Sequence, residues 1–420
     1  MNNLIDPLLD ASQKGYPHHA PALRRSEIAA QGWNVLNGDL PLPLAVVRAD
    51  SLNHNLGWMQ GYANDSGVRF APHGKTTMSP QLFQRQLDAG AWGLTFATVA
   101  QLRIGVQAGA RRCVIANQVL DAGDLRGIQA LLATHADLRV LFLLDSTAQL
   151  ALIEATAPAK AFEVLLELGT DGGRTGCRSA DEAIELARAA RASSAVVLVG
   201  IECYEGLGAK GDSAADVPFA QALMDRVTAI ALQCEQEGLF EADEIIVSAG
   251  GSAIFDLVVP ALRPALNRPL IGLLRSGCYI THDHGFYKRM VSVVNQRLGC
   301  GNGLQAALEV WATVQSLPEP GLAILAVGKR DISYDLDLPV PIALCALSSR
   351  TPQPTPAGWT ISGMNDQHAY LRLGEQPAGL QVGDRVALGV SHPCTTFDKW
   401  RWMPVVDADY RVIDALVTCF

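Results

Sequence analysis

Eight short apolar runs, alternating with helical segments, dominate the sequence from residue 67 onward. They read "VRFA" (68–71), "WGLTF" (92–96), "RCVIA" (112–116), "RVLFLLD" (139–145), "FEVLLELG" (162–169), "VVLVGIEC" (196–203), "EIIVSAG" (244–250) and "LIGLLRSG" (270–277). Each is flanked by Gly, Asp or Ser and is apolar on both faces, the pattern of strands buried on two sides. Between them lie segments such as "VAQLRIGVQAGA", where Val99, Leu102 and Val106 share one helical face and Gly109 is a C-terminal stop. Strand–helix alternation with eight strands predicts an α/β fold, a (β/α)8 TIM-like barrel. An open doubly wound sheet is the competing arrangement.

After about residue 290 the texture changes. Extended runs such as "ALEVWATVQSL", "VPIALCAL", "HAYLRLG" and "DRVALGV" are broken by "SLPEPG" and "RTPQPTPAG". This predicts a C-terminal, mostly antiparallel β domain. A chain of 420 residues suits two such domains. The expected division is an N-terminal extension at 1–41, the barrel at 42–290 and the β domain at 291–420. "PLAVVRA" (43–49), a strand preceding the barrel, is expected to join the second sheet. Residues 1–40 offer one helical patch, around "RRSEIAAQGWNVL".

Charge and composition exclude several classes of partner. A net charge of -9 leaves no electrostatic footprint for nucleic acid or an anionic membrane. No apolar run reaches the roughly 18–20 residues of a membrane span. The first residues lack the basic-then-apolar layout of a secretory signal. Nine cysteines without a repeating spacing imply a reducing, cytoplasmic setting.

A barrel presents its chemistry at the C-terminal ends of its strands. After the first run, "APHGKTTMSP" carries His73 and Lys75. Asn117 and Gln118 follow the third, "TDGGRTG" with Arg174 the fifth, and "CYEG" with Tyr204 the sixth. The seventh yields "SAGGSA" and the eighth "SGCY". Ser248, Gly250, Gly251, Gly277 and Cys278 thereby form a candidate phosphate cradle, in which backbone amides approach an anion with a helix start behind them. The plainer reading of the two adjacent glycines is a tight turn. Lys75 reads either as a solvated surface lysine or as a desolvated amine opposite that cradle, which suits pyridoxal phosphate. Tyr204 reads as a core aromatic or as a wall for a cofactor ring. Arg174 pairs with a carboxylate such as Asp171, or meets something flat or anionic among its glycines.

In the second domain His392 and Cys394 stand two residues apart in "GVSHPCTTF", hence on one face if the segment is a strand. They read as a buried cysteine beside a bonded histidine, or as two ligands of an open zinc-type site. "THDH" (281–284) is the rival cluster, expected to be a helix start or a loop, with Asp283 as a cap.

These residues resemble the pyridoxal-phosphate enzymes of the alanine-racemase fold type, in their D-serine dehydratase and D-threonine aldolase branch, over about residues 42–420. "PLAVVRADSLNHNLGWMQ" is similar to the family's opening, with Asp50 and Asn55 in place, and "APHGKTTMSP" resembles its "RPHxKTHKSP" motif. "DGGRTG" resembles "DxGxxRxG", "GIECYEG" resembles "GIxxYxGH", and "SHPCTT" resembles the terminal "NHxCPT" metal motif. The resemblance implies pyridoxal 5'-phosphate on Lys75 with His73 beside it, Arg174 at the pyridine nitrogen and Tyr204 on the cofactor side. It implies phosphate at the two glycine-bearing loops, a divalent metal (zinc first) at His392 and Cys394, and a homodimer. Dehydratase-like members carry His-x-Cys at the metal and aldolase-like members His-x-Asp, so Cys394 points to dehydration and deamination of a D-β-hydroxy amino acid such as D-serine. Retro-aldol cleavage, racemisation and a non-catalytic cofactor carrier are the alternatives. Thr77, where histidine is common, and the missing histidine after Gly206 depart from the pattern and bear on the substrate.

Overall fold

The computed structural model describes residues 4–206, 208–374 and 379–420. Leu207, the position where the family pattern has histidine after Gly206, lies outside the described residues, as do the first three residues of the N-terminal extension.

The eight apolar runs form eight strands: β1 (Arg69–Phe70), β2 (Leu94–Phe96), β3 (Arg112–Gln118), β4 (Arg139–Leu144), β5 (Phe162–Leu168), β6 (Val196–Cys203), β7 (Ile245–Ala249) and β8 (Leu270–Leu274). All pair in parallel, in the order β1-β8-β7-β6-β5-β4-β3-β2. His73, just past β1, bridges Thr95 of β2, also in parallel, and this contact closes the sheet into a barrel. Sequential order plus closure excludes the open doubly wound sheet, whose strand order reverses at its centre. Period-two geometry explains why the runs are apolar throughout. In β4, Leu141 and Leu143 point into the barrel, whereas Val140, Phe142 and Leu144 pack outward beneath the helices.

Gly200 of β6 lies where a Cβ would stand 2.0 Å from the Ile246 carbonyl oxygen of β7. No rotamer relieves a clash with backbone. Gly200→Ala is expected to cost about 3 kcal/mol, read as a lower urea midpoint at unchanged slope. A midpoint within error of wild type would mean that the two strands can separate freely here.

The helices begin where the caps demand. Thr98, Asp121, Ser146 and Ser179 each accept a backbone N–H of the first turn, and Ser179 forms a reciprocal box with Glu182. The helix Val99–Gln107 buries Val99, Leu102 and Val106, and Gly109 follows at φ +105°. No described helix is long and apolar enough to cross a membrane.

The second sheet is built on the long strand Leu308–Glu319, which pairs antiparallel with Arg385–Gly389, Leu322–Leu325 and Leu44–Arg48. The strand preceding the barrel therefore does lie in this sheet, where it also pairs in parallel with Trp402–Val406. Asn55 ties the two layers together: its side chain donates to the Ile280 and Gln305 carbonyls and accepts from Gln305 N–H, all while fully buried.

The helical patch expected near residues 24–36 is instead three separate 3-10 turns, Arg25–Glu27, Ala29–Gln31 and Val35–Asn37. Gly32 at φ +68° ends one turn, and extended Asn34 opens the next by accepting from Leu36 N–H. The N-terminal segment also packs tightly. Leu9, Tyr16, Ile28, Val35 and Leu36 are buried, and Tyr16 meets Trp402 of the second sheet edge-on at 5.6 Å.

Candidate active site

The C-terminal ends of the barrel strands open into one cavity of about 310 Å3. His73, Lys75, Arg174 and Tyr204 line it, as do Gly250, Gly251, Gly277 and Cys278, and the second domain adds His392 and Cys394. Asn117 lines it too, whereas Gln118 and Ser248, also singled out at the strand ends, lie off this wall. The Ser248 hydroxyl is buried in β7, donating to the Leu273 carbonyl at 2.9 Å and accepting from Arg275 Nε at 2.7 Å.

Lys75 sits in the tight turn Gly74–Thr76 that ends β1. Gly74 is needed there because a Cβ would fall 2.7 Å from Phe96 and 2.8 Å from Phe83. The lysine side chain lines the cavity yet is exposed, so of its two sequence readings the solvated one describes its surroundings. It is the cavity's one lysine. Beside it, burial and the Lys75, Arg275 and Arg174 charges hold the His73 imidazole well below its usual range, so the ring is neutral. His73 Nδ1 is buried without a partner among the described residues. Gly277 lets this turn approach the loop after β8, since a Cβ would meet His73 Cβ at 2.5 Å.

Arg174 makes no ion pair among the described residues. Its guanidinium lies 5.1 Å from the centre of the Tyr204 ring. Burial, with Glu205 next, pushes the Tyr204 phenol up to about 12. Gly206 and Gly251 frame that ring: a Cβ at either would stand 2.4 Å and 3.0 Å from its atoms.

The glycine loops differ from expectation in two respects. The amides of Gly250 and Gly251 donate to the buried Glu205 carboxylate. The helix behind "SAGGSA" is a single turn, Phe255–Val258, so backbone amides and not a helix dipole carry any anion attraction. Ser252, which sequence reasoning missed, lies on the wall with its hydroxyl accepting from Cys278 N–H at 3.3 Å. A second omission is the fully buried pair of Arg275 with Glu202, in which Arg275 also donates to the Cys203 carbonyl at 3.2 Å. Burial pushes Glu202 up to about 8 while Arg275 pulls it down. Its sequence signal was an arginine ending an otherwise apolar strand, "LLRSG".

His392 and Cys394 do not share a strand. The strand Arg385–Gly389 ends before them, and Cys394 opens the helical turn Cys394–Phe397. The turn, not strand alternation, brings the two side chains together. His392 Nδ1 is 2.6 Å from Asp335 Oδ2, and Thr395 donates to the other Asp335 oxygen at 2.7 Å. Against burial, which lowers it, the Cys394 sulfur and Asp335 raise the imidazole to about 9. Hydrogen bonding from Cys278, then from His392, holds the Cys394 thiol well below its usual range. "THDH" is the loop that leads into the helix Phe286–Leu298, and Asp283 caps its first turn by accepting the backbone N–H groups of Gly285, Tyr287 and Lys288.

The residues fit pyridoxal phosphate. There is a single lysine at the mouth, an unpartnered buried imidazole nitrogen beside it, an aromatic wall with a cation, and close-packed glycine loops offering the Ser252 hydroxyl. They also fit a borderline-soft divalent metal, through a sulfur and an imidazole whose far nitrogen is already held by a carboxylate.

Residues 47–273 match the family profile for the alanine racemase N-terminal domain, and residues 307–406 that for a putative serine dehydratase domain. A D-threo-3-hydroxyaspartate dehydratase of Delftia sp. is 26% identical over 399 residues, spanning 89% of this chain and 96% of that one. A D-threonine aldolase of Arthrobacter sp. is 26% identical over 375 residues, 87% of this chain and 90% of that one. The crystal structure of a D-threonine aldolase from Filomicrobium marinum superposes with a TM-score of 0.76 at 22% identity, covering 92% of this chain and 97% of that one.

Proposed function

This chain belongs to the alanine racemase N-terminal domain family, the fold-type III pyridoxal-phosphate proteins, with a serine-dehydratase-like region following the barrel, and from that membership we propose that it is a lyase that dehydrates and deaminates a D-β-hydroxy amino acid such as D-serine. The observation that carries the reading is the meeting of Lys75 with His392 and Cys394 on one cavity, an amine base facing a metal-type donor pair. When bound, pyridoxal phosphate supplies an electron sink at the substrate Cα, and a divalent metal supplies a Lewis acid for the β-hydroxyl.

The protein's own residues do the rest. Lys75 would hold the cofactor and, once released by the substrate amine, take the Cα proton at Nζ. Arg174 would hold a positive charge at the ring nitrogen, which disfavours its protonation. Tyr204 would pack the ring, and Ser252 with the amides of Gly277 and Cys278 would receive the phosphate. Gly250 and Gly251 shape that loop through Glu205. His392 and Cys394 would hold the metal, with Asp335 fixing the imidazole so that Nε2 faces it. The Cβ–O bond would break with the hydroxyl leaving as water, the proton it needs being the one that Lys75 Nζ took from Cα. The enamine product then hydrolyses to a 2-oxo acid and ammonia.

Retro-aldol cleavage is the second reading, favoured by the equal identity to an aldolase and a dehydratase. A panel of D-serine, D-threonine and D-threo-3-hydroxyaspartate, with and without chelator, separates the two. Ammonia with a 2-oxo acid is the expected outcome; aldehyde with glycine would replace dehydration by cleavage. The homodimer implied by resemblance has a candidate face at the cavity rim, where Tyr334, Leu336 and Leu338 are 45%, 43% and 37% exposed on either side of Asp335. Light scattering reads the assembly.

A further inference from the structure

We propose that Cys278 is a third protein ligand of the metal, so that Cys278, Cys394 and His392 form a Cys2His site with one position open to the substrate hydroxyl. The proposal rests on the metal reading above and adds a residue to it. Its ground is the convergence of two sulfurs from distant parts of the chain. Cys278 Sγ, in the loop after β8, stands 3.6 Å from Cys394 Sγ in the second domain. Two thiolates bound to one tetrahedral zinc at about 2.3 Å stand roughly 3.8 Å apart. The sulfur pair is therefore spaced for a shared ion with little movement.

The neighbours are those a metal-bound thiolate pair requires. Thr76, one residue past Lys75, approaches both sulfurs, at 3.4 Å from Cys394 and 4.0 Å from Cys278. His392 is hydrogen-bonded to the Cys394 sulfur and anchored by Asp335 on its other side. Among the described residues no three such donors already surround one point. The sulfurs are the preassembled part, and the imidazole, bonded to one of them, closes the set. On binding, Cys278 releases its thiol proton and His392 its Nε2 proton to solvent, and metal–ligand bonds replace the S–H···S and N–H···S contacts.

This resolves a shortage in the donor count. Two protein ligands hold a zinc-type ion weakly, whereas catalytic sites commonly use three and leave the fourth position for water or substrate. It also gives Cys278 two roles: its amide faces the phosphate loop while its sulfur faces the metal, so metal and cofactor occupancy share one residue.

Zinc X-ray absorption on the purified, cofactor-loaded protein counts the sulfurs directly. The expected result is one zinc per chain with two sulfurs at about 2.3 Å, falling to one sulfur in Cys278→Ser. Chelator competition should show that variant releasing zinc at least about tenfold more readily, in the range seen when supporting groups of a metal site are lost. Zinc bound through a single sulfur in the wild-type protein overturns the third ligand while leaving the metal reading intact, and needs no variant to fold. Zinc that binds no sulfur, or that survives Cys394→Ser with the same sulfur count, overturns the metal reading itself and this proposal with it.

Discussion

Lys75→Ala is expected to abolish turnover, by about 10^4-fold or more, and with it the borohydride-reducible label that pyridoxal phosphate leaves on the protein. Among the described residues no other lysine lines the cavity, so none there can take over either the covalent attachment or the proton. Its place is fixed by the turn Gly74–Thr76, which packs on Phe83 and Phe96, and the side chain itself is exposed. The variant should accordingly keep its wild-type unfolding midpoint. Peptide mapping after reduction gives the direct check: the label belongs on the peptide "TTMSP" follows, at Lys75. A label on any other lysine would move the active site elsewhere in the molecule.

Removing the metal, by chelation or by Cys394→Ala, is expected to stop ammonia release from D-serine by about 100-fold or more while the protein stays folded and keeps its cofactor. The separation follows from packing. The second domain's core is built on Trp311, Phe397, Trp400 and Trp402, all buried. Cofactor retention would rest chiefly on Lys75 and Ser252, neither of them a proposed metal ligand, with Cys278 the one residue shared between the two groups. Cys394→Asp sharpens the test, since an oxygen ligand at this position should raise aldehyde release relative to ammonia if the donor selects the reaction. An enzyme equally active without metal would remove the ion from the chemistry. One that unfolds with metal loss would make the site structural.

Much of this was legible in the sequence because burial writes itself into composition. The runs 139–145 and 162–169 read as strands covered on both sides, while the choice between a barrel and an open doubly wound sheet waited for the His73–Thr95 bridge. Lys75, Arg174 and Tyr204 were legible because each interrupts an apolar or glycine-rich stretch at a strand end. What stayed hidden is long-range. Glu202 and Arg275 lie 73 positions apart, and neither announces its partner. Glu205 stood unremarked in "CYEG", yet its carboxylate accepts from the Gly250 and Gly251 amides, two of those expected to meet phosphate. The alternation argument failed at His392 and Cys394 because Pro393 turns the chain between them. At residues 24–36 a plausible helical pattern lost to Gly32 and Asn34, whose backbone preferences break it into single turns.

The strand Leu44–Arg48 carries a consequence for how the chain is made. Its neighbours in the sheet are Leu308–Glu319 on one side and Trp402–Val406 on the other. A ribosome synthesising this protein releases that strand early, and its partners emerge only after the whole barrel has been translated. Until then two rows of backbone groups have no mate, and assembly of the sheet must wait for the last stretch of chain. A fragment spanning 291–420 would leave Leu308–Glu319 and Trp402–Val406 with open edges facing a gap, and such edges seek other chains. The C-terminal domain is therefore not a separable module, and expression of it alone should yield aggregate unless residues 44–48 are supplied in the same chain.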